Sequence, residues 1–192
     1  MSRCSPLRLA LAALALAAAG PAAAQPLDAA TLQRLLQSSA RHDLRFTESR
    51  ESKWLGTPVL SSGSMSASPA MLEKRVEQPR RETWRILKDR MSVTDDSGVT
   101  KEFLFDEVPA VAALANAMRN AVAGDVAALR TDFELHVDGD ERLWTVELKP
   151  RRADVSRYLS QIELQGSRGR LQAIVVLETQ GDRTITRLLH DR

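Results

Sequence analysis

The chain has 192 residues, 43% of them hydrophobic and 27% charged, with a formal net charge of +2 and a single cysteine, Cys4. One cysteine rules out an intramolecular disulfide and a multi-thiolate metal site. So small a charge excess gives no electrostatic basis for a nucleic-acid partner. Arg3 and Arg8 precede an apolar run over residues 9–19, and Ala22-Ala23-Ala24 before Gln25 gives the small-x-small pattern that signal peptidase cuts. That run is well short of the ~20 residues a membrane-spanning helix needs. A cleavable leader is therefore expected over 1–24, with one exported domain over 25–192. Losing the leader removes Cys4 and leaves 25 basic against 25 acidic residues. Thiol catalysis and a cysteine-linked lipid anchor go with it.

Asp28 is placed to cap a helix over 29–40 in which Leu32, Leu35 and Leu36 form one stripe. From 44 to 87 short strand-like segments follow one another at 44–49, 53–55, 60–65, 72–75 and 83–86. Turn residues separate them at Gly56 to Pro58, Ser68-Pro69 and Gln78-Pro79. Period-two alternation gives each strand one apolar and one wet face, the pattern of an antiparallel sheet covered on one side. Gly63, inside Ser62-Gly63-Ser64, marks a bulge or bend, with close approach of a ligand as the alternative. Asp95-Asp96-Ser97-Gly98 is a turn between strands at 91–93 and 101–105.

Over 107–123 the period lengthens, with Val108, Val111, Leu114, Ala115, Met118 and Val122 at helical spacing and Pro109 in the first turn. Gly124 ends this helix, and Asp125 caps a shorter one through Leu129. Strands at 133–137, 143–148, 161–164, 171–177 and 183–189 complete the chain, with glycine-containing turns between most of them. The expected class is α+β: a strongly curved, incomplete antiparallel β-barrel with helices packed on its concave side. Sequence leaves open whether the helices enclose a lined cavity or fill a core.

Chemistry is sparse. No Gly-x-Ser-x-Gly elbow, Walker loop or His-Glu-x-x-His helix is present. His136 and Asp138 share a strand face, one ligand short of the three protein ligands of a catalytic zinc, and read as a surface pair. Glu48, Glu51, Glu73 and Glu77 read as solvated carboxylates on wet strand faces, and Lys149 with Arg151-Arg152 as a basic loop. Met118 suits a surface that accommodates variable apolar shapes. No catalytic residue, metal ligand or cofactor is assigned.

Phe46-Thr47-Glu48-Ser49-Arg50, Ser52-Lys53-Trp54-Leu55, Leu60-Ser61-Ser62-Gly63, Pro69, Leu72-Glu73-Lys74-Arg75, Pro79, Ala123-Gly124-Asp125 and Gly181-Asp182-Arg183 carry a family resemblance. In this order they resemble the periplasmic outer-membrane lipoprotein carriers, the LolA-like proteins, and most closely a divergent branch associated with polyene-pigment and acyl-transfer gene clusters. The resemblance runs from Asp28 to the C-terminus and is concentrated between Phe46 and Pro79. It implies a monomeric periplasmic carrier, not an enzyme, whose apolar cavity holds acyl chains of a lipoprotein or lipid-like molecule. Such a carrier moves its cargo toward the outer membrane and meets inner- or outer-membrane protein partners. The lining is assigned to Leu44, Phe46, Met65, Trp84, Phe103, Leu114, Met118 and Trp144. Two departures stand out: the carriers proper have a lid-latching arginine where this chain has Ser68, and an aromatic-rich strand where it has Met91-Ser92-Val93. The alternatives are an acyl hydrolase or transferase accessory enzyme using Ser64, His136 and Asp138, and a structural adaptor docking an inner-membrane export machine through Arg151-Arg152.

Overall fold

The computed structural model describes residues 27–39, 43–68 and 70–190. The expected leader, His42 and Pro69 lie outside the described residues. The N-terminal helix α1 (Ala29–Ser39) starts where Asp28 Oδ1 accepts a 2.7 Å bond from the Thr31 amide. Six strands follow: β1 (Asp43–Glu51), β2 (Val59–Ala67), β3 (Leu72–Gln78), β4 (Glu82–Ile86), β5 (Arg90–Thr94) and β6 (Thr100–Leu104). Two helices, α2 (Pro109–Val122) and α3 (Val126–Leu129), interrupt the sheet. The return block is β7 (Phe133–Gly139), β8 (Trp144–Pro150), α4 (Ala153–Ser156), β9 (Leu159–Ser167), β10 (Arg170–Glu178) and β11 (Arg183–Leu189).

Two local expectations need correction, and one short element is unexpected. Residues 53–55 form a turn, not a strand, because the Leu55 amide closes back on the Ser52 carbonyl at 3.1 Å. Phe105 lies beyond its strand, its amide turned to the Asp89 carbonyl. The single turn of α4 carries no periodic signal, being only four residues long.

All eleven strands form one antiparallel sheet in the order β6-β5-β4-β3-β2-β1-β11-β10-β9-β8-β7, with β6 and β7 as unpaired edges, so the sheet is not closed. The first and last strands meet at its centre, from Arg45↔Leu189 to Glu51↔Arg183, which fuses the two strand blocks. Facing residues in an antiparallel ladder share a sheet face. Following the register outward from β1, Leu44, Phe46, Met65, Leu72, Trp84, Ile86, Met91 and Phe103 fall on one face. On the other half Leu188, Ile174, Leu164, Val146 and Trp144 continue it. This face carries most of the buried core, and α2 meets it at β4, β9 and β10 while also packing on α3 and α4. The opposite face carries Arg45 bound through both nitrogens to Glu77, and Glu73 held between Arg75 and Arg85.

Two glycines shape the apolar face. Gly63 lies opposite Phe46 at a register shift between β2 and β3, and a Cβ there would overlap the Arg75 carbonyl oxygen and sit 3.1 Å from the Phe46 ring. Gly166 lies opposite Trp144, and a Cβ there would sit 2.5 Å from Trp144 Cη2. In each half a ring fills the space a neighbouring glycine vacates, which lets the strands bend without opening a void. The bulge reading of Gly63 thus holds.

A candidate ligand cavity beneath the longest helix

Helix α2 buries four alanines, and Asn120 and Val122 at its C-terminal end, while the larger apolar residues of its first three turns are half-covered. Ala113, Ala115, Ala117 and Ala121 are packed away, whereas Leu114 and Met118 are only partly buried and Val111 is 39% exposed. An amphipathic helix on a filled core does the reverse, since the larger side chains gain most from burial. The alanine positions bring the α2 backbone close to its neighbours. Val111, Leu114 and Met118, at spacings of three and four, stand over space.

That space consists of two adjoining cavities that share Val111, Leu114, Val176 and Glu178. The larger, about 520 Å³, lies at the N-terminal end of α2 between Pro109 and Leu159, and its mouth is edged by Glu107, Asp154, Arg157 and Tyr158. The smaller, about 290 Å³, lies under the middle of α2 against Trp84, Ile86, Met91 and Met118. Both fall near the 300–1,000 Å³ range of small-molecule sites, and both are walled mainly by carbon.

The smaller cavity has a polar floor. Glu48 projects from the apolar face of β1, directly after Phe46 on that face, and takes bonds of 2.8 and 2.7 Å from Lys74 Nζ and 2.6 Å from Thr186 Oγ1. Lys74 Nζ also sits 4.8 Å above the Phe46 ring. The Lys74 and Glu48 side chains are 13% and 17% exposed, so Glu48 is no solvated carboxylate and the wet-face reading of it is corrected. Of its companions, Glu73 is buried in its arginine clamp, Glu77 is paired with Arg45, and Glu51 is exposed. A charge pair inside an apolar face is retained at a cost in desolvation.

Among the residues assigned from sequence, Trp84, Leu114 and Met118 line the smaller cavity, and Leu114 the larger as well. Leu44, Phe46, Met65 and Trp144 share the apolar sheet face and are at most 7% exposed, packed within the core. Phe103 shares it too, on edge strand β6, at 37% exposure. Val111, Val176, Ile86 and Met91 were missed, though Val111 belongs to the same helical stripe as Leu114 and Met118. The enzymatic set is not assembled. Ser64 and His136 lie on strands six apart in the sheet, roughly 29 Å along it at ~4.8 Å per strand. Among the described residues no group of three His, Cys, Asp or Glu is placed to hold a metal. Arg151 Nε donates to the carbonyls of Arg130 and Phe133, and Arg152 pairs with Asp154, so this basic edge is engaged within the chain. Ser68 closes a turn with Met71 through both its backbone and its hydroxyl.

The family described as outer membrane lipoprotein carrier protein LolA-like matches residues 19–190. In backbone a LolA superfamily protein from Nitrosomonas europaea is similar over 85% of this chain and 92% of its own, at 10% identity and a TM-score of 0.44. MucB is similar over 84% of this chain and 57% of its own, at 16% identity and a TM-score of 0.42. An outer-membrane lipoprotein-sorting domain from Vibrio parahaemolyticus is similar over 85% of this chain and 92% of its own, at 10% identity and a TM-score of 0.31. No curated protein matches the sequence.

Proposed function

This chain belongs to the LolA-like outer-membrane lipoprotein carrier family, and from that premise we propose that it is a non-enzymatic periplasmic carrier that shelters acyl chains between α2 and the sheet on the way to the outer membrane. The observation that carries the proposal is the inverted burial of α2 ahead of its buried C-terminal Val122, with alanines packed and Val111, Leu114 and Met118 left over two cavities. Apolar surface left open in this way is favourable only when something apolar covers it. Each methylene moved from water into the cavity adds about 0.8 kcal/mol, so part of one acyl chain gives useful affinity.

In this reading α2 lies on the concave side of the sheet, and its contacts support that placement. It reaches β4, third in the sheet order, and also β10 and β9, eighth and ninth. Flat, β4 and β10 would be roughly 24 Å apart at ~4.8 Å per strand. Helix α2, with 14 residues, is about 21 Å long and about 10–12 Å across with its side chains, so bending of the sheet brings these strands more readily within its reach. On the proposed arrangement the sheet curves around α2, and the cavities are the part of the enclosed volume that its side chains leave unfilled. Trp84, Leu114 and Met118 contact the cargo directly in this reading, while Leu44, Phe46, Met65 and Trp144 hold the curved wall behind it and Phe103 closes the β6 edge.

Solvent extraction and mass spectrometry of the purified protein test this. The expected result is acyl species at near-stoichiometric yield, lost in Leu114→Asp, which puts an unpaired carboxylate among the apolar walls of both cavities. Protein without acyl species that also fails to take up a fluorescent fatty acid would contradict it.

A further inference from the structure

One end of the sheet carries an exposed apolar rim. Because the strands alternate in direction, the β1–β2, β8–β9 and β10–β11 connections lie at the same end, beside the mouth of the larger cavity. Trp54 in the β1–β2 connection is 85% exposed, Leu60 just beyond it 66%, and Tyr158 at the cavity mouth 62%. Leu55 is exposed as well. The parts are joined. The Lys53 stem lies against the β10–β11 turn so closely that a Cβ on Gly181 would fall 2.5 Å from its Cε. Thr179 of that turn donates its amide to Tyr158 O at 3.0 Å and its hydroxyl to Arg157 O at 2.7 Å. A continuous edge thus runs from Trp54 to the cavity entrance, joined by packing of the Lys53 stem at Gly181 and by the Thr179 hydrogen bonds to Arg157 and Tyr158.

We propose that this rim is a membrane-contact surface: Trp54 and Leu55 enter the headgroup region of a phospholipid bilayer and set the mouth of the larger cavity against it. The purpose given to that mouth rests on the carrier reading; the contact itself does not. Indole has a large apolar body with one donor, which is why tryptophan concentrates where apolar and wet regions meet. A protein partner needs about 800 Å² of shaped surface with its anchor near a dry centre. Trp54 instead stands at a projecting turn before Gly56-Thr57-Pro58, with almost all of its surface in solvent. Charge at this end is mixed rather than basic, because Arg50 faces Glu178 and Asp182 at 3.8 and 3.9 Å and the exposed Lys53, Arg157 and Arg183 lie among Glu51, Glu178 and Asp182. Insertion is then the main source of affinity, and salt has little effect on it.

The test uses the purified protein, freed of its expected leader, and vesicles of phosphatidylethanolamine and phosphatidylglycerol, with and without brominated acyl chains. Tryptophan quenching is compared between the wild type and the double variant Trp54→Ser/Leu55→Ser, so that the difference isolates Trp54 from Trp84 and Trp144. Expected are quenching of the wild type, a partition coefficient at least about tenfold lower in the variant, and little change between about 0.1 and about 0.5 M salt. Absence of wild-type quenching, equal partitioning of the two proteins, loss of binding at high salt, or binding only to vesicles carrying a membrane protein would each overturn it. Uptake of a fluorescent fatty acid in vesicle-free solution stays at the wild-type level in the variant. Failure of that uptake in both proteins would count against the carrier reading, while the quenching result still decides the membrane contact.

Discussion

Replacing Gly63 by alanine tests how the sheet is bent. The added methyl group would overlap the carbonyl oxygen of Arg75, lie 2.9 Å from its carbonyl carbon, and press the Phe46 ring from 3.1 Å. The first obstacle is backbone in the middle of the β2–β3 ladder, which cannot rotate away as a side-chain tip would. Overpacking of this kind costs about 1–3 kcal/mol, and contact with backbone on one side and a ring that is 1% exposed on the other puts Gly63→Ala at the upper end. For a domain of this length each kcal/mol moves the melting temperature by about 2–4 °C, so the expected drop is roughly 6–12 °C. Gly56→Ala is the control, since nothing lies within 4 Å of its added carbon, and it should melt within about 2 °C of the wild type. Circular dichroism melts of the three proteins decide the matter. A Gly63→Ala protein as stable as the control would refute the account of the bulge and of Phe46 as its filler.

Lys74→Met strands the Glu48 carboxylate on the apolar face with Thr186 as its remaining close partner; a loss of about 2 kcal/mol in urea denaturation is expected. Adding Glu48→Gln should recover at least half of it, and strictly additive single effects would show that the pair is not coupled. In acid, one helix cap and two surface turns weaken together. Asp28 is held below the ordinary aspartate range by the Thr31 amide, Asp95 by the Ser97 hydroxyl, and Asp140 by the Leu143 amide. Their folded values lie below the unfolded ones, so their stabilisation is complete above the unfolded value of about 3.9 and is lost as pH falls through the folded values. Melting temperature should fall in that window, and less steeply in Asp28→Asn/Asp140→Asn; equal slopes would remove this cap and turn from the explanation. Met118→Trp narrows the smaller cavity and should shorten the longest fatty acid retained, read by mass spectrometry; an unchanged length distribution would mean that the chain does not pass Met118.

The sheet was legible because one-sided burial writes alternation into each strand. The inward series Leu44, Phe46 and outward series Arg45, Thr47 survive unchanged in the burial of β1. Strand pairing was not legible, since the meeting of β1 with β11 depends on contacts about 140 residues apart that no local pattern encodes. Asp28 and Asp125 were readable as caps because their chemistry is local, and both carboxylates accept the expected amides. The cavity was half-readable. Periodicity grouped Val111, Leu114 and Met118 on one stripe with Ala115 and Val122, which are buried, but apolar spacing is the same over a void as over a core. What separates the two is that the alanines beside them took the packed positions. Glu48 was misread because a charged residue in an alternating strand is ordinarily outward, and only its distant partners Lys74 and Thr186 make the inward position tolerable.

The central claim is that an acyl chain lies between α2 and the sheet, and photolabelling tests it most directly. A fatty acid carrying a diazirine midway along its chain is bound to the protein, irradiated, and its adducts are mapped by peptide mass spectrometry. The account predicts labels on Val111, Leu114 or Met118 and on facing Trp84, Ile86 or Val176, all suppressed by excess unlabelled fatty acid. Labels scattered over the outer face around Arg45 and Glu77, or none that competition removes, would contradict it.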